Sequence, residues 1–124
     1  MPGILLHLLA GSVMSVIGRY RYPAFFKGEQ KTEERAMLIG ACLIFSVIPD
    51  AFLGLFYLYN LPFDTMLSYH ILLHAVFVPI SLFFLIILKL YVDVKYEPII
   101  VMSFWCVILH IIMDGLIMET GIFI

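Results

Sequence analysis

Six residues able to ligate a metal, His7, Asp50, His70, His74, His110 and Asp114, each sit inside a stretch of sequence that is otherwise almost wholly apolar. An ionisable side chain in such surroundings costs on the order of 2.5 kcal/mol or more unless it is paired or ligating, so its presence points to function. Imidazole and carboxylate without thiolate suit zinc, manganese or iron. The pairs His70/His74 and His110/Asp114 are each four residues apart, which places both members on one face of a helix and within reach of one ion. A catalytic ion typically takes three protein ligands and keeps one position open, so these donors are numerous enough for a second ion bridged by Asp50 or Asp114. Asp50 is also the candidate general base, and Glu119, just past Asp114, is a peripheral ligand candidate.

The segments that carry these residues are long. Of the 124 residues, 64% are hydrophobic and 13% charged, a composition outside the soluble range that excludes a basic nucleic-acid-binding surface. A hydrocarbon core of about 30 Å takes about 20 apolar residues of helix. Four stretches qualify, about 2–18, 35–59, 67–90 and 98–120, and together they predict an all-α, four-helix transmembrane bundle as a single domain over 1–124. Thr32 is the expected N-cap of the second span, with Glu33 and Glu34 in its first turn. Tyr57, Tyr59, Tyr69, Tyr91 and Tyr96 fall near span ends, where amphipathic rings favour the interface. The first basic residue, Arg19, follows the first apolar stretch, so that stretch reads as a retained span and not as a cleaved leader.

Basic residues set the direction. Arg19, Arg21, Lys27, Lys31 and Arg35 flank the first loop, and Lys89 and Lys95 flank the third. The positive-inside rule puts both loops in the cytoplasm and both termini outside, in a multi-pass protein of the inner cell membrane. All six candidate ligands then fall in the outer half of the bundle. Each lies on a row of small or polar residues at helical spacing: His7, Gly11, Ser15 and Gly18; Cys42, Ser46, Asp50 and Gly54; His70 and His74; Ser103, Cys106, His110 and Asp114. Small residues let membrane helices approach closely, so these rows are the expected inward seams. Pro49 withdraws a backbone donor beside Asp50 and predicts a kink there, with carbonyls freed toward the site. Cys42 and Cys106, with no CxxC spacing, read as buried free thiols.

The stretches HLLAG (7–11), IPD (48–50), HILLH (70–74) and HIIMD (110–114) resemble, in this order, those of the small inner-membrane-bound metal-dependent hydrolases, a family distantly similar to zinc-dependent phospholipase C. The resemblance implies a helical membrane protein whose six His and Asp residues hold a metal, zinc first, and act on a phosphoester or lipid. The chain departs from the family pattern at Phe52, where a second Asp is usual, and at Ile71, Leu72 and Leu73, where Arg and Thr usually stand between histidines five apart. Beside the hydrolase stand a haem or metal carrier, an ion-translocating subunit and a partner-binding bundle. Four short helices bury little, so a homo-oligomer or a partner membrane subunit is also expected.

Overall fold

The computed structural model describes residues 4–27, 31–50, 59–60 and 62–120. Among them stand four long helices: α1 (Ile4–Arg21), α2 (Lys31–Val47), α3 (Phe63–Tyr91) and α4 (Glu97–Thr120). Short 3₁₀ turns lie at Pro23–Phe26, Ile48–Asp50 and Val94–Tyr96, and no strand occurs among the described residues. Leu67–Tyr91 and Val94–Leu116 are each long and apolar enough to cross a membrane.

The helix bounds differ from expectation at several ends. α1 runs a turn beyond residue 18, to Arg21, and places Arg19 and Arg21 in its last turn, where cations offset the negative end of the helix dipole. Thr32 is not the N-cap of α2; it lies inside the first turn, after Lys31. α2 ends at Val47 and gives way to the 3₁₀ turn that contains Pro49, because proline cannot donate to the α-helical ladder. Residues 51–58 of the expected second span, Gly54 and Tyr57 included, and the side chain of Glu119 lie outside the described residues. α3 begins four residues before its expected start and keeps Pro79 within it.

α1, α2 and α4 pack on one another, and α3 docks on α4 and on the Ile48–Asp50 turn. The seams face inward. In α1 the buried residues are His7, Gly11, Ser15 and Gly18, one row at helical spacing. α2 buries Glu34, Leu38, Cys42 and Ser46. Leu38, Cys42, Met102 and Cys106 form the core between α1, α2 and α4, while Val78 and Leu85 meet Ile100 and Val107 between α3 and α4. Both cysteines are free thiols. Glycine is required at Gly11 for a close approach: a Cβ there would stand 2.6 Å from Ser46 Oγ and 2.8 Å from the Cys42 carbonyl oxygen.

Polarity runs inside out. Among the described residues nine polar or charged side chains are buried, His7, His70, His110 and Asp114 included, whereas Leu5, Leu9, Ile44, Leu72, Ile80, Phe83 and Phe84 are exposed. At one end of the bundle Lys95 reaches the buried carboxylate of Glu34 at 3.0 Å, and Lys89 pairs with Glu97 at 3.2 Å. The opposite end holds the start of α1, the Ile48–Asp50 turn, the first turns of α3 and the later turns of α4.

Candidate metal centre

All six sequence-predicted ligands meet at that opposite end. The ligand atoms of His7, Asp50, His110 and Asp114 lie within 4.8 Å of one another, and so do those of Asp50, His70, His74 and Asp114. Asp114 is the hub. Its Oδ2 stands 2.8 Å from His74 Nε2, 3.2 Å from His110 Nε2 and 3.6 Å from His70 Nε2, while its Oδ1 stands 3.3 Å from His7 Nε2. Asp50 faces the same set from the end of α2: Oδ2 lies 3.3 Å from His7 Nε2, and Oδ1 lies 3.4 Å from His70 Nδ1 and 3.6 Å from His74 Nε2.

Two histidines are oriented by backbone carbonyls. His110 Nδ1 donates to the Ser46 carbonyl at 2.7 Å, and His74 Nδ1 donates to the His70 carbonyl at 2.9 Å. A ring whose Nδ1 carries the proton presents a lone pair at Nε2, the arrangement of a metal-bound histidine with an outer hydrogen-bond partner. The Ser46 carbonyl lies in the last turn of α2, where the α-helical pairing of a carbonyl with the N–H four residues on gives way to the 3₁₀ turn at Ile48–Asp50. A carbonyl at the end of α2 thus orients a histidine carried on α4.

The two Nε2 lone pairs face each other at 2.9 Å, and both face Asp114 Oδ2. Three electron-pair donors at the corners of so small a triangle repel unless a proton or a metal ion lies between them. The usual zinc–nitrogen distance is about 2.05 Å. Ligands on a tetrahedral ion at that bond length stand about 3.3 Å apart, and adjacent ligands on an octahedral one about 2.9 Å. The observed nitrogen–oxygen separations, 2.8 to 3.7 Å, span both values. Buried atoms tell the same story: both nitrogens of His7, Oδ1 of Asp50, Nδ1 of His70 and both oxygens of Asp114 have no hydrogen-bond partner. Native proteins rarely leave such groups unsatisfied. The donor set fits a divalent ion and does not by itself choose the metal.

No family model, no curated protein and no solved structure matches the chain. The centre is therefore read from its own residues.

It is closed on most sides. His7 and His110 stack with centroids 4.0 Å apart, and His70 and His74 lie 3.9 Å apart. The side chains of Asp50 and His74, 14% and 16% exposed, are the most accessible of the six and mark the open side. Sequence reasoning picked out the six residues that converge but missed the Ser46 and His70 carbonyls that orient His110 and His74, and it missed the buried Glu34. A signal for Glu34 existed: the row Cys42, Ser46, Asp50 continues backward through Leu38 to Glu34 at the same spacing.

Proposed function

We propose that this chain is a four-pass protein of the inner membrane, with both termini outside, that binds a divalent metal in the outer half of its bundle and hydrolyses a phosphoester or lipid ester there. Zinc is the first candidate, with manganese or iron as substitutes. The observation that carries the metal is the convergence of His7, Asp50, His70, His74, His110 and Asp114, whose ligand atoms lie within 4.8 Å of one another in two groups of four. The membrane reading is supported by the exposed apolar side chains on α1 and α3, which a water-facing surface would not carry in such number. The clustering of Lys and Arg around the first and third loops supports the orientation.

A divalent ion supplies positive charge against the oxyanion that develops as an ester is attacked. The chain's own residues do the remainder. Asp50, on the accessible side, is placed to hold the proton of an attacking water. His110 and His74 keep their rings fixed through the Ser46 and His70 carbonyls, and the burial of His7, His70, His110 and Asp114 limits water. The order of HLLAG, IPD, HILLH and HIIMD motifs points to the same chemistry. The arrangement does not favour a haem: axial nitrogens on one iron stand about 4 Å apart with the macrocycle between them, and His74 and His110 leave 2.9 Å.

Elemental analysis of protein purified under metal-replete conditions tests the reading, together with hydrolysis of a chromogenic phosphodiester and of phospholipid vesicles. Bound metal and turnover in the wild type, with both lost in Asp50→Ala and His110→Ala, are expected. Metal-free wild-type protein would refute the proposal.

A further inference from the structure

Both carboxylates of the centre reach both groups of histidines. Asp114 turns Oδ1 to His7 at 3.3 Å and shares Oδ2 between His74 at 2.8 Å and His110 at 3.2 Å. Asp50 does the same in reverse, Oδ2 to His7 and Oδ1 to His70, at 3.3 and 3.4 Å. The two four-residue groups that could each enclose an ion share both aspartates and no histidine: His7 and His110 belong to one, His70 and His74 to the other. Of the buried atoms that lack a partner, Asp50 Oδ1 and His70 Nδ1 lie in the second group, the His7 nitrogens in the first, and the two Asp114 oxygens in both. One ion cannot satisfy both groups. Held on one side by Asp114 Oδ2, it leaves His7 and Asp114 Oδ1 unsatisfied.

We propose, building on the metal reading above, that the centre binds two divalent ions, each held by two histidines and both bridged by Asp50 and Asp114, and that the pair recruits a phosphate group as its third bridge. The substrate class follows from charge. Two divalent ions bring four positive charges, Asp50 and Asp114 return two, and neutral imidazoles return none. A net charge of two remains at a site whose His7, His70, His110 and Asp114 are buried, where unbalanced charge is costly. A single ion with the same two carboxylates would be neutral and would exert no such pull. A phosphate oxyanion offers two oxygens to two ions and supplies the missing negative charge. Its way in is the side where Asp50 and His74 are accessible.

The test uses the full chain in detergent micelles. Metal per chain is measured after saturation with manganese or zinc and removal of the excess, and binding of inorganic phosphate is measured by calorimetry with and without metal. Two ions per chain are expected, with an exchange-coupled manganese pair in the electron paramagnetic resonance spectrum. Phosphate is expected to bind the loaded protein and to lose at least tenfold in affinity in the metal-free protein. His7→Ala should hold one ion and lose phosphate binding to the same extent. One ion per chain in the wild type at saturation overturns the two-ion centre while leaving the metal reading intact, and no ion refutes both. Two ions without phosphate binding overturn the assigned ligand. The wild-type stoichiometry decides even where the variant does not fold.

Discussion

Substituting Gly11 by alanine adds one methyl group at the tightest crossing in the bundle. Helix propensity alone favours the change by about 0.8–1 kcal/mol. Packing opposes it. The new Cβ would stand 2.6 Å from Ser46 Oγ and 2.8 Å from the Cys42 carbonyl oxygen. The serine hydroxyl can swing aside at the expense of its 2.8 Å bond to the Leu43 carbonyl, but the Cys42 carbonyl is part of the α2 backbone and cannot. Relief therefore requires α1 to retreat from α2 by roughly half an ångström, and overpacking of this kind costs about 1–3 kcal/mol. The net expectation is a loss of up to about 2 kcal/mol in place of a gain. The retreat also matters chemically, because His7 lies one turn from Gly11 on the same face and Ser46 supplies the carbonyl that orients His110. Gly40→Ala is the control: nothing lies within 4 Å of its would-be Cβ, so it should stabilise by about 0.5–1 kcal/mol and leave the metal alone. Thermal unfolding in micelles and chelator-competition titration of metal affinity read both effects. Equal stability and equal metal affinity in the two variants would refute the reasoning.

Three further outcomes follow from the same geometry. Pro49→Ala lets α2 continue through this turn, so that the Asp50 N–H can take up the Ser46 carbonyl and His110 loses its orienting acceptor; metal affinity should fall about 10–100-fold in a chelator competition, with no loss of helicity by circular dichroism. Lys95→Met leaves the Glu34 carboxylate buried without its 3.0 Å partner; a lower unfolding temperature is expected, and Glu34→Gln in the same background should recover part of it. Chelation should lower the unfolding temperature, because metal at about 100 times its dissociation constant stabilises the fold by about 2.7 kcal/mol, and a melt insensitive to metal would contradict the candidate centre.

Spacing and apolarity carried most of the site. The row His7, Gly11, Ser15, Gly18 is the full set of buried residues in α1, and Ser103, Cys106, His110 and Asp114 are all buried in α4. Four-residue spacing is a property of the helix itself, so the seams were legible without knowing how helices pack. What was not legible depends on neighbours. Which nitrogen of His110 faces the cluster is decided by a carbonyl on α2, and no pattern within α4 encodes it. Glu34 was read only as a charge suited to a helix start, because its burial depends on Lys95 arriving from the segment before α4. The bounds of α1 and α2 slipped because hydropathy ends where charge begins, whereas the helices continue through Arg21 and start at Lys31.

The centre takes donors from the beginning of α1, the turn after α2, the start of α3 and the later part of α4, so its ligands are scattered over nearly the whole chain. During synthesis the early histidine and aspartate emerge long before their last partners exist. Loop-closure entropy of this extent must be met before any contact within the cluster rewards it. A ribosome-bound chain that lacks α4 has neither His110 nor Asp114, and thus lacks the hub of the cluster. On the metal reading proposed above, loading is therefore the last step of biogenesis, and it clamps all four helices together only after α4 has been made.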